Sequence, residues 1–141
     1  DRLLFVTKTS MCKLVEGAEF DVAKRTIAST KLADEDELIF IGSASEMEQI
    51  VLQSHGGCFL RFLTQEVSTM KKTALGVRGM KLADDDYLEH AYLLAGHQEY
   101  TISYHDKEYA LNKVRLAKRD TKGIKPRIYK KTCFSGSKVL E

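Results

Sequence analysis

The chain has 141 residues, 43% of them hydrophobic and 30% charged, which allows a buried core and argues against wholesale disorder. Three cysteines, odd in number and nowhere spaced as C-x-x-C, argue against a disulfide framework or a zinc site and suit a reducing cytosol. The net charge of +2 conceals a polarity: residues 1–112 hold 12 Lys/Arg against 18 Asp/Glu, whereas residues 113–131 hold 9 against 1, a basic block of the kind that meets polyanions.

No apolar run approaches the roughly 18 residues of a membrane span, and the N-terminus lacks the order of a signal peptide. The sequence opens at Asp1 in mid-pattern, which reads as an artificial boundary, and Leu140-Glu141 reads as a vector-derived scar. Residues 4–15, LFVTKTSMCKLV, then predict a strand, a polar turn and a second strand. A dibasic pair follows at Lys24-Arg25, then the acidic octapeptide KLADEDEL (31–38), then the strand pattern ELIFIG (37–42).

The same order recurs. VLQSHGGCFLRF (51–62) lies over residues 4–15, Lys71-Lys72 over Lys24-Arg25, and KLADDDYL (81–88) over KLADEDEL. The offset is 47 through the dibasic pair and 50 at the acidic motif, because the second copy carries three extra residues within ALGVRGM. DYLEHAYLLAG (86–96) has apolar residues at helical spacing, but its alignment with ELIFIG favours a strand. A shorter third copy begins at Tyr100, turns near His105 and Asp106, and carries Lys118-Arg119 at the same 47-residue offset. The organisation is therefore repeat 1 over 1–47, repeat 2 over 48–98, a truncated repeat 3 over 99–127, and a basic tail over 128–141.

A period near fifty residues rich in short strands predicts an all-β repeat architecture of about four strands per unit, with neighbouring units supplying each other's core. A turn needed in every repeat explains the doubled acidic motif better than a doubled active site. Consecutive Asp residues favour turns, and neither copy has the glycine of a calcium loop. The four histidines lack metal-ligand spacing, and no nucleophile elbow, phosphate-cradling loop or dinucleotide fingerprint occurs.

The dibasic pairs carry the functional signal. A repeat places equivalent loops along one rim, so Lys24, Arg25, Lys71, Lys72, Lys118 and Arg119 would form one basic track. Arg78 and Lys125, which follow Gly76 and Gly123, extend it, as do Lys122 and Arg127 of the basic block. The two glycines permit close approach to a phosphate backbone or simply supply a turn. The plain alternative is that these cations solvate loops, which is their commonest use.

The hairpins LLFVTKTSMCKL and IVLQSHGGCFLRF, the dibasic pair, GVRGMKL (76–82) and the acidic turn before a strand occur in the order of a known family. The sequence resembles the C-terminal repeats of the A subunit of bacterial type IIA topoisomerases, DNA gyrase and topoisomerase IV, over residues 1 to 127. That resemblance implies a β-pinwheel, a propeller-like disc of antiparallel blades whose basic perimeter binds and bends or wraps duplex DNA irrespective of sequence. It implies no catalytic residue and no cofactor in this segment, the ATP and magnesium of the parent enzyme belonging to other domains. The implied partners are duplex DNA and the rest of the topoisomerase A and B subunits, and the implied location is the bacterial cytoplasm at the nucleoid.

The sequence departs from the family pattern in two ways. It supplies fewer than three repeats, short of a full disc, so uncovered edges predict a homodimer. The gyrase box of the form Q-R-R-G-G-x-G is reduced to MKKTALG (70–76) and AKRDTKG (117–123), so either the box lies upstream or the parent is closer to topoisomerase IV. A β-repeat scaffold that docks an acidic protein through the basic segment is the alternative function.

Overall fold

The computed structural model describes residues 2–17, 36–71, 73–96 and 99–126, in strands joined by turns, irregular segments and short 3-10 segments. β1 (Arg2–Thr7) and β2 (Met11–Glu16) form the first hairpin, and β3 (Leu38–Ser43) pairs antiparallel with the other edge of β1. β4 (Gln49–Ser54) and β5 (Phe59–Leu63) form the second hairpin, followed by the short strands β6 (Thr69–Met70) and β7 (Val77–Arg78). β8 (Leu88–Leu94) returns to the outer edge of β4, and β9 (Thr101–Tyr104) and β10 (Lys107–Ala110) close the third hairpin. The third hairpin turns on His105 and Asp106, both at positive φ, as a two-residue turn between paired Tyr104 and Lys107.

Repeats 1 and 2 are equivalent pair by pair. Leu3↔Ser43 in the first sheet corresponds to Ile50↔Leu93 in the second, displaced by 47 on one strand and 50 on the other. An irregularity of register follows Val6 in β1 and Gln53 in β4, which are again 47 apart. The segment 86–96 is a strand over Leu88–Leu94, in line with its alignment to ELIFIG. Its helix-like spacing has a local cause. The register skips Glu89 between Leu88 and His90, and this bulge turns Leu88 to the face that Ala91 and Leu93 share.

The first sheet has five strands, and two of them come from the next repeat. β6 lies parallel to β2 through Leu14↔Thr69, and β7 lies antiparallel to it through Cys12↔Val77. Both sets of pairs recur 47 residues later as Arg61↔Leu116, parallel, and Phe59↔Ile124, antiparallel. Residues 69–78 thus complete the sheet of repeat 1, and residues 116–124 complete that of repeat 2. A strand that runs parallel and then antiparallel along one neighbour must reverse between the two pairings, and the reversals are loops 71–76 and 118–123.

Glycine is required where the chain returns. Gly76 has φ +105, and a Cβ there would meet the Cys12 carbonyl oxygen at 2.5 Å; Gly123 has φ +79 and would meet that of Phe59 at 2.7 Å. The close approach expected of these glycines is therefore to a strand backbone.

The core follows from the exchange. Leu4, Val6, Cys12 and Leu14 of repeat 1 pack with Ile50, Leu52, Leu60 and Phe62 of repeat 2 in one buried cluster. Val51, Phe59 and Leu94, on the opposite face of the second sheet, pack with Leu111 and Val114 of repeat 3. The middle sheet is covered on both faces, so β4 reads as a run of apolar residues, IVL, without alternation.

Candidate nucleic-acid interface

The second acidic motif is a turn with a defined task; of the first, only Asp36–Leu38 lie within the described residues. The backbone N–H of Asp86 donates to the Ala83 carbonyl at 3.1 Å, and Asp86 Oδ1 accepts from the Gly56 and Tyr87 N–H groups at 2.9 and 2.8 Å. Asp36, 50 residues earlier, accepts from Thr9 and Glu37 N–H in the same way, at 3.0 and 2.8 Å. The last Asp of each motif therefore caps the hairpin turn of its own repeat. Burial raises the Asp36 carboxyl, but hydrogen bonds from the Thr7 and Thr9 hydroxyls and from two backbone N–H groups outweigh it, so its pKa lies below the ordinary value.

The returning loops carry the cations. Each loop is pinned at both ends by the same strand pairings, so equivalent residues leave the sheet at equivalent places. Lys71 is exposed on the first loop, and Lys118 and Lys122 on the second, with Lys125 exposed just beyond it. The exposed cations Lys81 and Arg115 border the same surface; neither belongs to a dibasic pair, although Lys81 opens the second acidic motif. Lys24, Arg25, Lys72 and Arg127 lie outside the described residues.

The arginines named with these lysines have structural partners. Arg119 is half-buried: its Nε donates to the Glu66 carbonyl at 3.1 Å, its Nη1 to the Arg78 carbonyl at 2.8 Å, and its backbone N–H to Glu66 Oε1 at 2.8 Å. Arg78 Nε donates to Asp120 Oδ1 at 2.7 Å, and this bond with the nearby cations lowers the Asp120 pKa. The backbones join as well, Lys81 N–H to the Thr121 carbonyl and Asp120 N–H to the Gly79 carbonyl. The third repeat's loop is thereby clasped to the second repeat, and two of the expected contacts form the clasp.

Two further cations position the exchange. Lys13 is only 2% exposed, and its Nζ donates to the Ala74 carbonyl at 2.7 Å while standing 5.7 Å from the Phe5 ring centroid. Arg61 spans from Gln49 Oε1 to the Val114 carbonyl, each at 2.8 Å, and burial lowers its pKa. Both sit inside strands where an apolar residue is the usual occupant, the one sequence signal that could have singled them out. Burial pushes the Cys12 thiol up to about 12, so it stays protonated and inert at neutral pH.

The family described as "DNA gyrase C-terminal domain, beta-propeller" matches residues 1–45 and 48–95. The A subunit of DNA topoisomerase 4 from Bacillus subtilis (strain 168) is 33% identical over 88 residues, which cover 61% of this chain and 11% of that protein. The A subunit of DNA gyrase from Lawsonia intracellularis (strain PHE/MN1-00) is 28% identical over 128 residues, covering 86% of this chain and 16% of that protein. The crystal structure of the C-terminal domain of DNA topoisomerase IV superposes with a TM-score of 0.73 at 28% identity, over 87% of this chain and 40% of that one. The chain thus spans a small part of these curated relatives and less than half of the solved domain. With both repeats matched and the same fold shared, the chain belongs to the family of DNA gyrase C-terminal domains, found on the A subunits of type IIA topoisomerases.

Proposed function

We propose that this chain binds duplex DNA irrespective of sequence and bends or wraps it, as the C-terminal module of a type IIA topoisomerase that controls supercoiling. The observation that carries this reading is the equivalence of loops 71–76 and 118–123. Both are pinned in one register to successive sheets, so Lys118 takes the place of Lys71 one repeat on, and Lys122 adds a further cation to the second loop. Cations repeated in this way suit a backbone of regularly spaced phosphates and carry no information about base edges. Lys81, Arg115 and Lys125 add charge to the same edge, while Arg78 and Arg119 hold its loops in place.

In this reading the strand passage driven by ATP and magnesium belongs to the parent enzyme's other domains and its B subunit, within a bacterial cytoplasm. The 141-residue segment taken by itself pairs with a second copy; light scattering that shows only monomer at every concentration would exclude this. The test of DNA binding is titration with unrelated duplexes at several salt concentrations. Affinity should fall steeply with salt and change little with sequence.

A second reading, a scaffold for an acidic protein, draws on Leu116 and Ile124. They are 46% and 43% exposed beside Arg115, Lys118 and Lys122, an apolar patch with a basic border. Failure to bind any duplex at low salt would favour it.

A further inference from the structure

A cleft of about 350 Å³ opens where repeats 2 and 3 meet, within the range of ligand-sized pockets. Its walls come from three places: the β4–β5 turn at Gly56 and Gly57, the β9–β10 turn at Tyr104, His105 and Lys107, and Lys125 beyond the exchanged segment. Among the described residues, no acidic side chain is part of its lining, and the Asp86 carboxylate that adjoins Gly56 is engaged with backbone N–H groups. Gly57 keeps it open, since a Cβ there would stand 2.9 Å from the Tyr104 hydroxyl. The backbone N–H groups of Gly56 and Gly57 are already taken by Asp86 Oδ1 and the Ser54 carbonyl. Any anion here must be held by side chains. The cleft therefore collects two ammonium groups, an imidazole and a phenol around one opening, on elements that the strand exchange brings together from different repeats.

We propose that this cleft is a phosphate-binding site, in which Lys107 and Lys125, with His105 and the Tyr104 hydroxyl, hold one phosphoryl group at the junction of the repeats. Two lysines on separate elements supply charge, and hydroxyl and imidazole donors add direction. The site differs from the surface around Lys118 and Lys122 in combining lysines with an imidazole and a phenol, in a cleft walled by two hairpin turns and the residues beyond the exchanged segment. The proposal rests on the DNA reading only for the source of the phosphate, which is a backbone phosphodiester if that reading holds and a free phosphate otherwise.

The experiment follows the amide resonances of Gly56, Gly57 and Lys107 in the 141-residue chain during two titrations, one with a short duplex and one with inorganic pyrophosphate. Both ligands should move these resonances. The Lys107→Ala/Lys125→Ala variant should lose the pyrophosphate response and flatten the log–log salt slope of duplex binding by about 0.9, one phosphate contact. A charge-matched Lys8→Ala/Lys113→Ala variant should keep the pyrophosphate response. Duplex binding that leaves these amides unmoved in the unaltered chain, or a full pyrophosphate response in Lys107→Ala/Lys125→Ala, overturns the site while leaving the DNA reading intact. A pyrophosphate response without duplex binding keeps the site and overturns the DNA reading; no response to either ligand overturns both. Should the double variant fail to fold, the two titrations of the unaltered chain still decide.

Discussion

Asp86 Oδ1 lies 2.9 Å from the Gly56 backbone nitrogen, and 50 and 47 residues earlier Asp36 Oδ1 lies 3.0 Å from that of Thr9. The bond ties the acidic turn to the hairpin turn of the same repeat, which explains why one chain carries the acidic motif twice. Replacing Asp86 by Ala removes the acceptor for two backbone N–H groups on a solvated turn. A loss of about 1 kcal/mol of stability is expected. Chemical denaturation checks it, and an unchanged midpoint would show the carboxylate to be incidental.

The equivalent residue of the first repeat gives a pH signature. The folded-state pKa of Asp36 is depressed, so its contribution to stability is complete above the unfolded value of about 3.9 and is lost as pH falls through the folded value. Thermal unfolding of the unaltered chain and of Asp36→Asn should therefore converge as the solution is acidified below that point. A constant gap between the two from neutral to acid pH would refute the assignment.

Gly123 gives the strand exchange its own test. Alanine there meets both a positive φ and the Phe59 carbonyl oxygen, and its close contact is with backbone, so no side chain can simply swing away. Gly123→Ala should cost more than about 1 kcal/mol, on the order expected for strained backbone. It should also loosen the pairing between Phe59 and Ile124, read as faster hydrogen exchange of those two amides. Exchange rates that stay as they were would mean that the segment is held elsewhere.

Much of this fold was legible because the repeat is written in register. The offsets of 47 and 50 visible in the sequence reappear in every equivalent pair of β1–β3 and β4–β8. The strand at 88–94 was readable only through its alignment, since the bulge at Glu89 disturbs the alternation on which a local reading depends. The exchange itself was not legible. Thr69 pairs with Leu14 across 55 residues, and nothing in either residue's neighbourhood announces the partner. The site shows the same limit: the dibasic pairs mark where the charge is, but Lys118 and Arg119, adjacent in sequence, differ in use. One points to solvent, and the other is bound to the carbonyls of Glu66 and Arg78.

That contrast separates contact from support. Lys118→Ala should weaken duplex binding, flatten the salt slope by about 0.9 and leave stability within about 0.5 kcal/mol. Arg119→Lys keeps the charge but cannot span two carbonyls with a planar fork, so it should lower the melting temperature with little change in slope. Thermal unfolding and salt-dependent binding of both variants decide. Reversed behaviour would make Arg119 the phosphate contact and Lys118 the structural group.

Lys13 extends the distinction to a residue that the repeat pattern assigns to a strand hairpin, away from the basic loops, where neutralising it should do little to DNA binding. The structure gives it a larger role. Its ammonium group is buried and donates to the carbonyl of Ala74, inside the loop that presents Lys71. Lys13→Met keeps much of the chain length and removes the donor, leaving that carbonyl without this partner and costing roughly 1–3 kcal/mol. The loop then loses a tether to β2, so duplex affinity should fall although no phosphate contact has been deleted. The salt slope distinguishes the two causes: it should stay at the value of the unaltered chain in Lys13→Met and drop in Lys71→Ala. If Lys13→Met flattens the slope as Lys71→Ala does, its ammonium reaches a phosphate in the complex, and the bond to Ala74 describes the free protein alone.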